Sequence, residues 1–225
     1  MANKPDGPGP RACLEFLETK AILSTGQRRS NYALCIVETS VQLPHHDGGE
    51  KTMDASEVLL DTRRFRVVRN RRQLSDGTWY ERETVDHPGA AVILPLLDDD
   101  RVCLIRNYRI AVDQELIELP AGTIDPPEDP LDTARRELLE ETGYLAGKLE
   151  KVHEYWVSPG ILRECMHFFV ARELMPGPPR PERGEEIKAF VVSLSEALAM
   201  IDDRRIRDAK TIAGLLLYDR LRTHA

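Results

Sequence analysis

GTIDPPEDPLDTARRELLEETGY, residues 122–144, joins an acidic, proline-rich loop to a strongly helix-forming segment. In the loop, Asp129 and Asp132 are both candidate N-caps, because a carboxylate there accepts backbone N–H groups and lies at the positive end of the helix dipole. The sequence LDTARRELLEET then predicts about three turns of helix, and Gly143 is the residue type expected just past a helix end. We therefore expect a capped helix that ends at Gly143.

The predicted helix separates apolar from acidic residues. At about 100° per residue, one stripe is apolar and should face a core; it consists of Leu131, Ala134 and Leu138. A neighbouring sector is acidic; it consists of Glu137, Glu140 and Glu141. Like charges at this spacing destabilise a helix, and a hard divalent cation such as Mg²⁺, which takes oxygen ligands, would neutralise them. An ordinary solvated helix face is the alternative, because Glu and Arg are good helix formers.

The full spacing of this stretch resembles the signature of the Nudix hydrolases. That signature places Gly, Glu, Arg-Glu, Glu-Glu and Gly at fixed intervals, with apolar residues after the Arg-Glu pair and after the last Gly. The matching residues, with no departure, are Gly122, Glu128, Arg136, Glu137, Leu138, Glu140, Glu141, Gly143 and Tyr144. At roughly 6% usage per residue type, seven fixed matches arise by chance on the order of once in 10⁸ placements.

The composition is that of a globular protein and limits the classes of partner. Of the 225 residues, 41% are hydrophobic and 31% are charged, and the net charge of −7 argues against nucleic acid as a partner. The four cysteines show no metal-type spacing and favour free thiols in a reducing cytosol; they are Cys13, Cys35, Cys103 and Cys165. The sequence has no apolar run near ~18 residues and no signal-peptide pattern. We therefore expect a cytoplasmic protein that does not bind membranes.

The chain divides into three parts. Residues 1–52 mix Pro/Gly-rich and polar stretches with short apolar runs, which predicts a poorly specified, disordered extension or a misassigned start. His45 and His46 are adjacent and would point to opposite faces of a strand, so they indicate a metal site only weakly. Residues 53–86 predict N-terminal antiparallel strands, and residues 87–225 match the Nudix hydrolase domain.

The elements predicted from residue 57 onward alternate strands with few helices. Three short antiparallel strands are expected at 57–61, 63–72 and 78–86, with their arginines on a solvated face in preference to a phosphate site. Asp98 to Asp100 form a predicted hairpin turn between two apolar strands, and two late helices are expected at 194–202 and 208–222. The candidate caps of these helices are Ser193 or Ser195, and Asp208. The pattern and the resemblance together imply an α/β (α+β) fold: a Nudix-type αβα sandwich with a mixed β-sheet, plus a small N-terminal antiparallel β-sheet.

The resemblance also implies a chemistry: hydrolysis of a nucleoside diphosphate linked to another group, with Mg²⁺, or Mn²⁺ as a substitute. Metal ions would neutralise the diphosphate and acidify a bound water. By the resemblance, Glu137 and Glu141 are principal metal ligands, Glu140 assists, and the carbonyl of Ala121 completes the shell. Arg136 is interpreted as an orienting ion-pair partner of the catalytic group, with Glu128 as a candidate partner.

Residues outside the signature look like the ADP-ribose pyrophosphatase branch of this family. The similar segments are ELPAGTIDP before the helix, SPG after it and IRDAKTIAGLLL near the end of the chain. The resemblance implies substrate contacts by Arg82 and Arg109 and a role for Glu164 at the terminal ribose. Exposed solubilising arginines, and for Glu164 an ordinary surface carboxylate, are the alternatives.

A second acidic loop would supply a general base or a further metal ligand in this branch. The candidates are Glu182, Glu185 and Glu186; the alignment favours Glu185, but Arg183-Gly184 departs from the pattern and leaves the base open. The branch also implies a homodimer formed through the N-terminal strands. A small nucleoside diphosphate is the expected partner in the active site.

Three functions therefore stay open at this point. The first is an ADP-ribose or ADP-sugar diphosphatase that releases AMP and a sugar phosphate. The second is the same chemistry on another nucleotide sugar or dinucleotide, such as GDP-mannose or NADH. The third, a non-catalytic ADP-ribose-binding regulator, is disfavoured because all the glutamates of the signature are present.

Overall fold

The computed structural model describes residues 55–98, 100–177 and 187–223. The strands, in chain order, are β1 (Ala55–Asp61), β2 (Arg66–Gln73), β3 (Trp79–Asp86), β4 (Ala90–Pro95), β5 (Arg101–Arg109), β6 (Gln114–Glu118), β7 (Ala121–Thr123), β8 (Tyr144–Ser158), β9 (Leu162–Pro176) and β10 (Lys188–Ser193). The helices are α1 (Pro130–Thr142), α2 (Leu194–Asp202) and α3 (Ala209–Thr223). The predicted extension at 1–52 and the acidic loop with Glu182, Glu185 and Glu186 lie outside the described residues. Within the described part, no helix is both long and apolar enough to cross a membrane.

The N-terminal strands form where the sequence predicts them, and cross-strand charges hold them together. Strand β2 pairs antiparallel with both β1 and β3. Its arginines form ion pairs across the ladder: Arg69 with Glu57 and Glu83, at 3.2 and 3.0 Å, and Arg71 with Glu81, at 2.6 Å. This agrees with the interpretation of these arginines as a solvated face, where opposite charges on neighbouring strands attract.

These strands continue a larger sheet. Strand β3 pairs with β9 in parallel through Val85 with Leu162 and Asp86 with Arg163. The resulting order is β1-β2-β3-β9-β4-β7, with β8 paired to β9. The N-terminal strands are antiparallel as predicted, and this short parallel junction makes them the extension of one mixed sheet.

The chain changes sheets between β4 and β5, where the sequence predicts a simple hairpin. Strand β4 pairs with β9 in parallel and with β7 antiparallel, so both of its edges are occupied. Strand β5 instead lies in a second sheet, between β10 and β6. A single bridge between Leu96 and Val102 remains of the predicted hairpin.

Helices cover both faces of the large sheet. On one face, Ala91, Ile93 and Phe169 pack against Ala134 and Leu138 of α1. On the opposite face, a larger core joins β4 and β9 to the second sheet and to helices α2 and α3; its fully buried members include Leu94, Leu104, Phe168, Leu194 and Leu215. The predicted apolar stripe of α1 is therefore confirmed, with Leu131 at its half-buried end.

Candidate active site

Local sequence fixes the position of α1 at both ends. The Asp129 side chain accepts a hydrogen bond from the Leu131 N–H at 2.8 Å, and Pro130 occupies the first turn, where a missing N–H has no cost. Gly143 adopts the left-handed conformation, with φ 72°, and its N–H donates to the Leu139 carbonyl at 2.9 Å. Of the two candidate N-caps, the structure thus selects Asp129. These caps set which residues of the helix face the loop before it.

Arg136 forms hydrogen bonds with an acidic cluster that comprises glutamates of α1 and Glu128 of the loop before it. Its Nε and Nη2 donate to the two carboxylate oxygens of Glu128, at 3.2 and 3.0 Å. Its Nη1 donates to Glu137 at 2.6 Å and to Glu140 at 3.1 Å. The hydrogen bond from Arg136 holds the pKa of Glu128 below its usual value, and Glu128 in turn raises the pKa of Arg136. One guanidinium therefore orders three carboxylates, as the ion-pair interpretation of Arg136 and Glu128 expects.

The backbone of β7 lies directly against two glutamates of the helix. The Ala121 N–H donates to Glu141 Oε2 at 2.8 Å. At Gly122, a Cβ would overlap the carboxylate of Glu137, so the absence of a side chain is what lets that carboxylate reach the strand. The structure thus brings together Ala121, Glu137, Glu140 and Glu141. The predicted ligand role of the Ala121 carbonyl stays a prediction.

A buried ion-pair network fixes Arg109 beside this cluster. Arg109 donates to both oxygens of Glu118, at 2.8 and 2.6 Å, and Lys210 of α3 forms an ion pair with the same carboxylate. Burial would raise the pKa of Glu118, which is 0% exposed, but hydrogen bonds and charges from Arg109 and Lys210 hold it below its usual value. The charge of Glu141 adds to the effect of Glu118 in raising the pKa of Arg109. Arg109 is therefore an oriented cation within electrostatic reach of the acidic cluster.

Sequence reasoning missed Glu118 and Lys210. The signal available was Glu118 itself, one acid in the apolar run LIELP, because a charged residue at an inward strand position is rarely buried without a partner. The identity of the partner was out of reach, since Lys210 lies 92 residues further along the chain.

The other two predicted substrate residues lie on the sheet. Arg82 of β3 lies over the ring of Tyr80, 5.6 Å from its centroid, and its Nη1 is 3.4 Å from the Gly160 carbonyl oxygen. Glu164 of β9 lies 3.3 Å from Nδ1 of His87. Both flank the turn between β8 and β9, whereas the acidic cluster lies on α1. Their roles at the substrate stay predictions, and Glu185 lies outside the described residues.

Comparisons with a family model, with related proteins and with solved structures all indicate the same family. A family model described as NUDIX domain matches residues 86–215. An ADP-ribose pyrophosphatase of Bacillus subtilis (strain 168) is 37% identical over 141 residues, covering 62% of this chain and 76% of that protein. A GDP-mannose pyrophosphatase of Citrobacter koseri is 34% identical over 178 residues, covering 72% and 91%.

A solved structure described as an ADP compounds hydrolase shares the fold. It superposes with a TM-score of 0.66 at 24% sequence identity, and the match covers 76% of this chain and 92% of that one. The family model spans more than half of the chain and coincides with the elements that build the acidic cluster. The chain belongs to the Nudix family.

Proposed function

We propose that this protein hydrolyses the diphosphate bond of ADP-ribose, or of a related nucleoside diphosphate sugar, and releases AMP and a sugar phosphate. One observation carries the proposal: the glutamates of α1 converge on the backbone at Ala121 and Gly122, with Arg109 held nearby as a fixed cation. Relatives named as pyrophosphatases of ADP-ribose and GDP-mannose support this class of substrate.

The acidic cluster fits a hard divalent cation. Its donors are carboxylate oxygens, which Mg²⁺ prefers, and the side chains of Glu137 and Glu140 are only 13% and 20% exposed. Arg136 offsets part of the negative charge of Glu128, Glu137 and Glu140, and the cluster stays net negative. We assign Mg²⁺, with Mn²⁺ as a substitute, to this site.

The ligands follow from the same geometry. Glu137 and Glu141 are assigned as principal ligands because each reaches the β7 backbone from the helix. Glu140 is assigned as an assisting ligand and the carbonyl of Ala121 as a further one. When bound, the metal would neutralise the diphosphate and lower the pKa of a coordinated water.

The chain's own groups supply positioning, which phosphoryl transfer needs most. Within the described part of the chain, Glu118 occupies Nε and Nη2 of Arg109, which leaves the N–H groups of Nη1 to donate to a phosphate oxygen. Arg136 orients Glu137 and Glu140 through its Nη1. Glu185 is assigned as the general base, with Glu182 and Glu186 as alternatives.

Recognition of the nucleoside and the terminal ribose is assigned to the sheet. Arg82 and Glu164 flank the β8–β9 turn on neighbouring strands, one offering positive charge and the other a carboxylate that accepts sugar hydroxyl groups. The acidic cluster itself binds only the diphosphate. GDP-mannose and NADH therefore stay as alternative substrates.

We also propose that the protein is a homodimer built through its N-terminal strands. Strands β1 to β3 and their first connection expose several large apolar side chains, between 38% and 51% of each; they are Val58, Leu59, Leu60, Phe65, Trp79 and Tyr80. Clusters of exposed apolar residues mark association surfaces. Dimerisation here would place Arg82 near the active site of the neighbouring subunit.

Free thiols support a reducing compartment. Cys103 and Cys165 are both unpaired within the described chain. Proteins with free thiols are typical of the cytosol. We assign the protein to the cytoplasm on this basis.

A substrate panel tests the proposal. The purified full chain is incubated with Mg²⁺ and ADP-ribose, GDP-mannose or NADH, and the products are identified by chromatography, with EDTA-treated samples as the control. We expect AMP and ribose 5-phosphate from ADP-ribose at the highest kcat/KM. Metal-independent hydrolysis, or tight ADP-ribose binding without turnover, would refute the proposed activity. A clear preference for another member of the panel would retain the chemistry and change the substrate.

A further inference from the structure

Three metal-ligating side chains of different chemistry meet on the β8–β9 hairpin, apart from the acidic cluster of α1. They are Glu154, Cys165 and His167, and their ligand atoms all lie within 4.8 Å of one another. None of these residues belongs to the Nudix signature. The group combines a carboxylate oxygen, a sulfur and an imidazole nitrogen.

The strand register explains why they meet. Glu154 of β8 lies directly opposite His167 of β9, and Cys165 precedes His167 by two residues on the same strand. Residues two apart on a strand point to the same face, and directly opposed residues are cross-strand neighbours. The three donors therefore share one face of a rigid ladder, the face on which Phe169 packs against α1.

His167 carries an unsatisfied polar atom aimed into this group. Its Nδ1 is buried, and none of the described residues forms a hydrogen bond with it. The nearest carboxylate oxygen, Glu154 Oε2, is 3.7 Å away, which is too long for a hydrogen bond. Buried ring nitrogens are almost always satisfied, so this atom calls for a partner. A cation between Nδ1, the carboxylate and the sulfur would supply one.

We propose that Glu154, Cys165 and His167 form a second metal site, which binds Zn²⁺ or a similar borderline transition metal. Thiolate and imidazole ligands select such ions, whereas carboxylate-only sites suit Mg²⁺. Three protein ligands leave one tetrahedral position for a water molecule. The cysteine binds as a thiolate, so metal binding releases its proton to solvent.

One existing contact competes with the metal. Lys151 Nζ donates to Glu154 Oε2 at 2.7 Å. The side chains of Lys151 and Glu154 are 44% and 59% exposed, so the ammonium group can return to water when the carboxylate turns toward a cation. Exposed ion pairs of this kind contribute little stability.

Cobalt spectroscopy tests the site directly. The full chain, with Glu137→Gln and Glu141→Gln to weaken binding at the acidic cluster, is titrated with Co²⁺. We expect the near-ultraviolet sulfur-to-cobalt charge-transfer band of a thiolate ligand, and displacement of that band by Zn²⁺. Cys165→Ser should abolish the band, and Cys103→Ser, which changes the buried cysteine of β5, should retain it. Absence of the band, or its persistence in Cys165→Ser, would overturn the proposal.

Thermal unfolding with Zn²⁺ gives a second readout. Zinc should raise the Tm of the wild-type chain, because a metal that binds only the folded state stabilises it. His167→Asn and Glu154→Gln should lose that rise while keeping a wild-type circular dichroism spectrum. An equal Tm rise in both variants would contradict the assignment. Mg²⁺-dependent hydrolysis should be unchanged in Cys165→Ser, so this test does not depend on the proposed activity.

Discussion

Gly122 shows how much of this site depends on a single missing side chain. Gly122 is not one of the described glycines with a positive φ. A Cβ at this position would nevertheless overlap the Glu137 carboxylate. The requirement for glycine is therefore one of space. The same reason explains why a glycine stands at the start of the signature, ahead of the helix that carries the glutamates.

Gly122→Ala should consequently remove activity without unfolding the chain. The added methyl group displaces Glu137, and a displacement of about 1 Å in a catalytic group can cost about 100-fold in rate. Steady-state hydrolysis of ADP-ribose measures the effect. Gly77→Ala is the matched control: it strains a turn with φ +85° but meets no neighbouring atom, so it should lower stability by about 1 kcal/mol and leave kcat unchanged. Equal kcat values in the Gly122→Ala and wild-type enzymes would contradict this account.

The lowered pKa of Glu118 predicts that the stability of the fold depends on pH. Its pKa in the folded chain is lowered, so its ion pairs stabilise the fold above the usual carboxylate pKa of 4.5 and lose that contribution as pH falls below it. Glu118→Gln should reduce the free energy of unfolding at pH 7 by about 3 kcal/mol, because it removes the carboxylate partner of Arg109 and leaves Lys210 with Asp208 alone among the described residues. Urea denaturation from pH 7 to pH 3.5 measures this. The difference between wild type and variant should shrink on acidification; a constant difference would argue against the network.

At the scale of elements, the N-cap of α1 stabilises the start of the helix that carries the glutamates. Asp129 and Asp132 are equivalent candidates in the sequence, and only Asp129 accepts the Leu131 N–H. Asp129→Ala should therefore lower stability by about 1 kcal/mol, whereas Asp132→Ala, at an exposed first-turn position, should change it by a few tenths. Thermal unfolding compares the two. The reverse order of Tm values would show that the wrong residue has been assigned as the cap.

Element boundaries follow the sequence wherever local chemistry fixes them. The runs around Ser75-Asp76-Gly77 gave strands close to β2 and β3, and the Ser193 and Asp208 side chains accept from the Glu196 and Thr211 N–H groups at α2 and α3. Pairing partners were less predictable. Nothing in the residues of β4 indicates that β9, from far along the chain, will occupy the edge that a hairpin with β5 would use. Local pattern defines a strand, but long-range competition defines its neighbours.

In the candidate site, too, local features were predictable from the sequence and long-range contacts were not. The glutamates of α1 were predictable because their spacing on one helix is a local property. The close approach of Glu137 to Gly122 was not predicted, because it joins α1 to β7. The Arg109–Glu118–Lys210 network was not, because it joins β5, β6 and α3 in three dimensions. The positions of Arg82 and Glu164 came from the resemblance, and their roles await experiment.

At the scale of the whole molecule, substitutions in the N-terminal strands test whether the protein is a monomer or a dimer. Val58 and Leu60 of β1 are each 51% exposed, and a bulge between them pairs them with Val68 and Val67 of β2. Val58→Asp combined with Leu60→Asp should convert the proposed dimer to a monomer, because it places charge in an apolar interface. Light scattering after size exclusion measures the mass. Leu216→Asp, on the exposed side of α3, is the control and should stay dimeric; dissociation by this control alone would move the interface to α3.

The acidic cluster of α1 is proposed to hold the cation on which hydrolysis depends. The most direct measurement is AMP release from ADP-ribose by the wild type, Glu141→Gln and Glu150→Gln, across a titration of Mg²⁺. Glu141→Gln should lose at least about 100-fold in kcat/KM and need more Mg²⁺, since it removes one carboxylate ligand from the cation. Glu150→Gln, an exposed change on β8, should match the wild type. Unchanged turnover and Mg²⁺ dependence in Glu141→Gln would contradict the claim.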